Sequence, residues 1–388
     1  MLIPGLVVIL IPLLDTHFKF CFLLACFQWI YVFWRFSFIM ARMTNQTSQF
    51  AQIPMQSVGP FKLIGDVTAD DLMVPMATYE TPLWPSVARG ARTTAHAGGI
   101  RVTLVDERMT RSILLQAPHA GEAHRCLQAL KARKDEMQVQ VSQSSRFAKL
   151  IDIHSQIIGN LIYLRLEFTT GDASGHNMAT QAADTLIPWI LAEYNQLEYV
   201  SISANYCTDK KVSAVNGILG RGKNVVCETT IPAKLCSRFL KTTPQALVDL
   251  HIKKDLIGSI VSGGLRTANA HVANMLLGFY LATGQDAANI VEGSQAINHA
   301  EVTPDGDLYF STTLPNLIVG TVGNGKGLDF VQANLEQLGC ANSQAQPGDN
   351  ARRLACIAGA TALCGELSLL AAQTNPGELM AAHLKLER

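Results

Sequence analysis

The chain has 388 residues, of which 48% are hydrophobic, and its 31 Lys plus Arg balance its 31 Asp plus Glu. A chain of this length can bury one large core or two ordinary ones. Because the net charge is zero, there is no general attraction to nucleic acid, and we expect small molecules or other subunits as partners. The nine cysteines are scattered and include no C-x-x-C pair, which predicts neither a disulfide framework nor a zinc site and fits a reducing, cytoplasmic compartment.

Residues 1–44 form a hydrophobic leader whose composition differs from that of the remaining chain. Met1–Leu14 is too short to span a bilayer, whereas Phe20–Met40 is long enough but is interrupted by Gln28 and Arg35. The leader has no basic amino-terminal region, which argues against a secretory signal. Two interpretations stay open: a membrane anchor formed by residues 20–40, or a translated stretch upstream of the native start.

Residues 113–202 have the pattern of a small unit with the order β-α-β-β-α-β. One strand alternates clearly, with Leu164 and Phe168 on one face and Arg165 and Glu167 on the other. This order is typical of a ferredoxin-like split motif. We predict strands over Ser112–Gln116, Ala148–Ile153, Leu161–Thr169 and Leu197–Ile202, and helices over Gly121–Met137 and Asn177–Tyr194.

The next segment, Ser203-Ala-Asn-Tyr-Cys-Thr-Asp-Lys-Lys211, has no apolar periodicity and is predicted to be a loop. A lysine beside a carboxylate can keep its positive charge in a cleft, polarise a carbonyl and stabilise the alkoxide formed by hydride attack. Taken alone, such a charge cluster is more often a solvated turn.

That loop and the following Gly220-Arg-Gly-Lys-Asn-Val-Val-Cys-Glu228 resemble the substrate loop of the 3-hydroxy-3-methylglutaryl-CoA (HMG-CoA) reductase family. The similarity runs from about Gln52 to the end of the chain, where a terminal helix carries His383. Four further blocks occur in the family's order: Val74-Pro-Met-Ala-Thr-Tyr-Glu80, Thr170-Gly-Asp-Ala-Ser-Gly-His-Asn-Met178, Gly284-Gln-Asp-Ala-Ala288 and Gly320-Thr-Val-Gly323.

The resemblance implies reduction of HMG-CoA to mevalonate and CoA with two NADPH, a step of isoprenoid biosynthesis. It also implies an α+β fold in which a large, mostly helical substrate domain, residues 45–112 and 203–388, carries an inserted ferredoxin-like cofactor domain, residues 113–202. The family's active site forms between subunits, so a homodimer or larger homo-oligomer is expected. No metal is required for this chemistry.

By the same resemblance, the catalytic residues are Glu80 as proton donor, Lys210 as the cation beside the developing alkoxide, Asp286 as the group that couples these two, and His383 as the acid for the CoA thiolate. Expected substrate contacts are Ser86, Arg89, Arg111, Ser203, Asn205, Asp209, Lys211, Lys241, Lys254, His271 and Asn274. Expected cofactor contacts are Ser145, Arg146, Phe147, Asp172, Asn177, Met178, Val322 and Gly323.

Two glycine-rich nucleotide-binding motifs are relevant to the choice of cofactor. No G-x-G-x-x-G follows a strand, so a Rossmann site is not predicted. Gly320–Lys326 spells G-x-x-x-x-G-K, but Gly327 stands where a phosphate-binding loop needs Ser or Thr, so an NTPase is disfavoured. The resemblance implies that Ser145-Arg146-Phe147 receives the 2'-phosphate; a hydroxyl and a guanidinium suit that dianion and favour NADPH over NADH.

The chain departs from the family pattern at a few positions. Ser174 and His176 replace methionines, Asn324 replaces a glycine, and Asn45–Gln49 stands where the family has Glu-Asn-x-Ile-Gly. These changes and the leader support a second hypothesis, a membrane-anchored, inactive homologue that serves as a binding or regulatory subunit. The presence of all four catalytic residues counts against it.

Overall fold

The structure is a computed structural model that describes residues 51–386, so the hydrophobic leader and the expected change at 45–49 lie outside the described residues. Residues Ile53–Arg388 form one compact unit. The strands are β1 Met55–Ile64, β2 Asp71–Ala77, β3 Ile100–Gln116, β4 Leu150–Ile158, β5 Leu161–Phe168, β6 Glu198–Ser201, β7 Gly222–Ile231, β8 Ile297–Val302 and β9 Leu308–Leu317.

The α-helices are α1 Leu83–His96, α2 Ala120–Ala132, α3 Lys134–Ser144, α4 His176–Glu193, α5 Ala214–Leu219, α6 Ala233–Leu235, α7 Pro244–His251, α8 Ser259–Val261, α9 Val272–Ala282, α10 Ile290–Gly293, α11 Asp329–Gln337, α12 Asp349–Gln373 and α13 Glu378–Leu386. Short π-helical segments cover Cys236–Leu240 and Ile252–Gly258, and a 3-10 turn covers Ala287–Asn289.

The long strand β3 connects the two halves of the fold. Its first part, Arg101–Arg108, pairs with β7 in a sheet of order β2-β1-β3-β7-β9-β8. Its second part, Met109–Gln116, pairs with β5 in a sheet of order β4-β5-β3-β6. Each sheet has its own buried apolar cluster. The domain boundaries stay a prediction, and the structure adds that β3 changes partners between Arg108 and Met109.

The strands of the smaller sheet occur in the predicted chain order β-α-β-β-α-β. Strands β3 and β4 flank β5, and β6 lies on the other side of β3, with every pairing antiparallel. This is the split arrangement expected from the order β-α-β-β-α-β. The predicted helix over Gly121–Met137 divides at Arg133, whose side chain binds Glu136 and Glu193. Strand β4 begins and ends later than predicted.

Strand β5 is buried on both faces. Leu164, Leu166 and Phe168 lie in the small apolar core, as their alternation predicts. The opposite face is equally inaccessible, because Arg165 and Glu167 are both fully buried and pair at 3.0 Å. Arg165 also donates to the carbonyl of Gly220 at 2.5 Å. The charged face of β5 therefore connects the small sheet to the segment that follows the predicted substrate loop.

Helix α12 is the central element of the large core. It is rich in alanine and is buried on all sides, which suits close packing against α1. At Gly90 in α1, an added Cβ would lie 2.1 Å from the carbonyl oxygen of Cys364, so only glycine permits this approach. Among the described residues, α12 is the one helix long and apolar enough to cross a bilayer, but 94% of its apolar window is buried inside the protein.

Candidate active site

A groove of about 590 Å³ lies where the predicted substrate loop, the start of α4 and the segments around Asp286 and Gly323 meet. It brings together residues that are far apart in sequence. The predicted site residues that line it are Arg111, Ser145, Asn177, Met178, Asp209, Lys210, Asp286, Val322 and Gly323.

Lys210 and Asp286 form the charged centre of this groove. Lys210 Nζ lies 2.8 Å from Asp286 Oδ2, and both side chains are nearly half exposed. The hydrogen bond to Asp286 raises the pKa of Lys210, against a smaller opposing effect of burial. Burial alone would raise the pKa of Asp286, but the hydrogen bonds from Lys210 and from the Ala288 N–H bring it below its usual value. Both groups therefore stay charged at neutral pH.

The loop that presents Lys210 is held in an uncommon backbone conformation. Asn205, Thr208 and Lys210 have positive φ angles of 55°, 32° and 55°, a region that residues with a side chain rarely adopt. The buried Ser112 hydroxyl accepts N–H groups from Ala204, Tyr206 and Cys207 at 3.2–3.3 Å. The prediction of a loop over Ser203–Lys211 is confirmed.

The three departures Ser174, His176 and Asn324 also line the groove, together with Lys326. His176 Nε2 lies 3.5 Å from Asp209 Oδ1. Burial, together with the charge of Arg221, lowers the pKa of His176. Burial also lowers the pKa of Lys326 to about 8, and its ammonium group donates to the carbonyl of Gly284.

One wall of the groove has the features of a dinucleotide site. Helix α4 begins after Gly175, whose φ is +96°, and the free N–H groups of a helix amino terminus attract phosphate. Opposite, Gly323 has φ +99°, and a Cβ added there would meet nothing within 4 Å. The two segments are joined by a bridge between Ala173 and Val322. Backbone N–H groups and open space at Gly323 therefore fit a bound pyrophosphate.

The carboxylate of Asp172, an expected cofactor contact, binds the start of α12 and does not line the groove. Its two oxygens accept the N–H groups of Gly348 and Ala351, each at 3.0 Å, at the amino terminus of α12. Arg146 and Phe147 line a neighbouring cavity of about 300 Å³, and the guanidinium of Arg146 lies 4.7 Å above the Phe147 ring. The structure thus places these two beside the groove and uses the Asp172 side chain as a helix cap.

Glu80 lines a different cavity, of about 420 Å³, together with Ser86, Arg89, His271 and Asn274. Glu80 Oε2 accepts from Asn274 Nδ2 at 2.9 Å, and the same amide lies 3.4 Å from His271 Nδ1. His271 Nε2 lies 3.1 Å from the Gly365 carbonyl oxygen. These partners require the proton on Nε2, which leaves Nδ1 to accept from Asn274 and orients the amide toward Glu80.

The mouth of this second cavity is formed partly by α13. Arg89 donates to Glu378 at 2.6 Å and to the carbonyl of Ser368 at 2.5 Å, and Ser86 bonds to the Ser368 hydroxyl at 3.0 Å. His383 lies on α13, but its side chain lies outside what the structure describes.

The remaining expected contacts are spread around these cavities. Lys241 lines an open depression near the end of α12. Lys254 Nζ lies 3.4 Å from the buried carboxylate of Asp255, and the exposed Lys211 bonds to the Asp209 carbonyl at 3.1 Å. The carbonyl of Ser203 accepts from Ser201.

Two residues beside the loop received no role from the sequence. Arg221 lies in one of the blocks that resemble the family but carried no specific expectation, and Glu292 had no local signal at all. In the structure they form a buried pair at 2.8 Å directly behind Lys210.

One group of described side chains is close enough to hold a metal ion: Asp152, His154 and Glu167. Glu167 is already paired with both Arg108 and Arg165. Two guanidinium groups at the same carboxylate oppose binding of a cation.

The seven cysteines among the described residues are all free and buried.

Comparisons with known proteins agree on one family. Residues 36–388 match the family described as hydroxymethylglutaryl-coenzyme A reductase. The 3-hydroxy-3-methylglutaryl-coenzyme A reductase of Pyrococcus horikoshii is 44% identical over 338 residues, which are 87% of this chain and 81% of that protein. The reductase of Strongylocentrotus purpuratus is 39% identical over 363 residues, which are 92% of this chain and 38% of that protein.

Solved structures show the same fold. The class II 3-hydroxy-3-methylglutaryl-CoA reductase of Streptococcus pneumoniae, bound to NADPH in open conformations, has a TM-score of 0.69 at 18% identity, covering 85% of this chain and 87% of that one. A second structure of the enzyme from that organism has a TM-score of 0.67 at 17% identity and covers 87% of this chain and 89% of that chain. From the family match and the identity to its relatives, the chain belongs to the hydroxymethylglutaryl-coenzyme A reductase family.

Proposed function

We propose that the chain reduces (S)-3-hydroxy-3-methylglutaryl-CoA to mevalonate and free CoA, consuming two NADPH and two protons. The observation that carries this proposal is the Lys210–Asp286 pair, at 2.8 Å, in a groove whose opposite wall fits a dinucleotide. Family membership indicates the substrate, and the Lys210–Asp286 pair provides the positive charge that stabilises the developing alkoxide. NADPH, when bound, supplies the hydride for each of the two reductions.

In the first reduction, the thioester carbonyl becomes a tetrahedral hemithioacetal whose oxygen gains negative charge. Lys210 is already protonated and held by Asp286, so it can stabilise this oxygen without reorganisation. The C–S bond then breaks and releases mevaldehyde and the CoA thiolate. His383 is assigned to protonate that thiolate, since an imidazole can exchange a proton near neutral pH.

In the second reduction, mevaldehyde becomes mevalonate. An alkoxide forms again, so Lys210 is used a second time, and Glu80 is assigned as the proton source. The amide of Asn274 holds the Glu80 carboxyl at 2.9 Å and thereby orients it. By the family resemblance, Asp286 is assigned to couple Lys210 with Glu80 once these groups share one site.

The family resemblance implies a site formed between subunits. Glu80 lines one cavity and Lys210 another, and we propose that Glu80 of one copy and Lys210 of a second act on one substrate. An assembly with two-fold symmetry would complete two such sites at once.

Localisation in the cytoplasm, with membrane association only through residues 20–40, stays a prediction.

Replacing Asp286 with Asn should shift the alkaline limb of the activity profile to lower pH. The hydrogen bond from Lys210 to Asp286 raises the pKa of Lys210. Without the carboxylate, that pKa falls and the lysine loses its proton at lower pH. The measurement is kcat against pH, from about pH 6 to 10. Asp305→Asn, in an exposed turn, is the control, and an unchanged limb in Asp286→Asn would contradict the assignment.

Replacing Arg146 with Ala should weaken NADPH far more than NADH. The guanidinium lies beside the groove, above Phe147, where it suits the 2'-phosphate that only NADPH carries. The expected cost is about 1.5–3 kcal/mol for NADPH and little for NADH. Fluorescence titration with both cofactors measures this difference. Arg125→Ala, an exposed arginine on α2, is the matched control, and equal losses for the two cofactors would place Arg146 elsewhere.

A further inference from the structure

Behind the substrate loop lies a buried ion pair that the proposed chemistry does not use. The side chains of Arg221 and Glu292 are 1% and 0% exposed. Arg221 follows the loop, immediately before β7, and Glu292 lies on α10, shortly after Asp286. The pair therefore joins the segment that carries Lys210 to the segment that carries its carboxylate partner.

The contacts of this pair converge on the backbone and neighbour of Lys210. Glu292 Oε1 accepts the Lys210 N–H at 2.5 Å and Arg221 Nη1 at 2.8 Å. Arg221 Nη2 donates to Asp209 Oδ1 at 3.0 Å. Lys210 is thus fixed at both ends, since Glu292 holds its backbone and Asp286 holds its ammonium group.

The pair is poorly suited to a purely stabilising role. Burial raises the pKa of Glu292, opposed by the charge of Arg221, and among the described residues its Oε2 has no hydrogen-bond partner. Apolar side chains of similar size would usually serve stability at least as well as such a buried pair. What apolar side chains could not do is accept the Lys210 N–H, which holds a residue with φ +55° in its rarely adopted conformation.

We propose that Glu292 and Arg221 are positioning residues for Lys210, in that they fix its backbone so that the ammonium group meets Asp286 and the reacting carbonyl. This inference rests on the proposed function for the role of Lys210, while the positioning itself is a property of the fold. Displacing a reacting group by about 1 Å can cost about 100-fold in rate. The effect should fall on kcat in both reductions and leave cofactor binding largely unchanged.

The test compares Arg221→Met, Glu292→Leu and the double variant in the full chain. Each single variant leaves one buried charge without its partner, so both should lose thermal stability, whereas the double variant should regain it. If the pair positions Lys210, kcat for HMG-CoA and for mevaldehyde stays about 100-fold low in the double variant, with NADPH affinity near wild type. Recovery of wild-type kcat along with stability in the double variant would overturn the proposal.

A second readout does not depend on turnover. Acylation of lysines by an amine-reactive reagent, mapped by mass spectrometry, compares Lys210 with the exposed Lys211 beside it. Lys210 should be acylated slowly in the wild type, and in the double variant its acylation rate should approach that of Lys211. Equal labelling of Lys210 in both proteins would also overturn the proposal. If Lys210 in the wild type is acylated slowly, as expected, but the protein shows no turnover, the proposed function is wrong. The proposal that Arg221 and Glu292 position Lys210 is then still supported. Leu363→Ala, in the large core, is the control for loss of stability alone.

Discussion

Lys210→Ala should lower kcat for both HMG-CoA and mevaldehyde by about 10²–10³-fold, the usual cost of removing a group that stabilises a developing oxyanion. Each substrate forms an alkoxide, and Lys210 is the groove cation that is paired with Asp286 at 2.8 Å. Alanine removes the charge and leaves Asp286 without its partner. Steady-state oxidation of NADPH with each substrate in turn measures the two losses.

Exchange of subunits between two inactive variants provides the control for this prediction. When Lys210→Ala is allowed to exchange subunits with Glu80→Gln, the proposed arrangement, in which the two residues come from different copies, predicts one intact site in each mixed dimer. Random exchange of equal amounts should then restore about a quarter of the wild-type activity. No recovery, with exchange verified, would place both residues in the site of one chain; loss of only one reduction in Lys210→Ala would contradict its shared role.

His383→Gln should separate the two reductions. The first releases a thiolate that must be protonated before it adds back to the aldehyde, whereas the second releases no thiol and takes its proton from Glu80. Glutamine keeps polarity but cannot exchange a proton near neutral pH. Turnover of HMG-CoA should therefore fall by about two orders of magnitude or more, while reduction of added mevaldehyde is largely spared.

The position of α13 makes this prediction physically reasonable. Glu378, in its first turn, binds Arg89 at 2.6 Å, and the helix borders the cavity that contains Glu80. Arg92→Ala, at an exposed position on α1, serves as the control. Equal loss of both activities in His383→Gln would mean that His383 acts in both steps or is structural.

The sequence predicted well those features that depend on local patterns. The aperiodic, charged stretch Ser203–Lys211 is a loop, as predicted. The chain order β-α-β-β-α-β of the small unit was predicted from the strand and helix patterns, and the strands occur in that order. Family motifs also indicated that Lys210 and Asp286 belong together, which their 2.8 Å contact agrees with.

Features that depend on distant partners were not predictable from local pattern. Arg221 and Glu292 are 71 positions apart, and only the fold brings them behind Lys210. The polar face of β5 gave no sign that it would be buried, since a guanidinium and a carboxylate usually indicate exposure. Asp172 lies in the expected cofactor block, but the free N–H groups at the start of α12 take up its carboxylate.

The measurement that tests the central claim most directly is the stoichiometry of NADPH oxidation by the purified protein with HMG-CoA as limiting substrate. The account predicts two NADPH oxidised for each CoA thiol released, with mevalonate as product. Absence of turnover in folded protein that still binds NADPH and HMG-CoA would contradict it and favour an inactive binding or regulatory subunit.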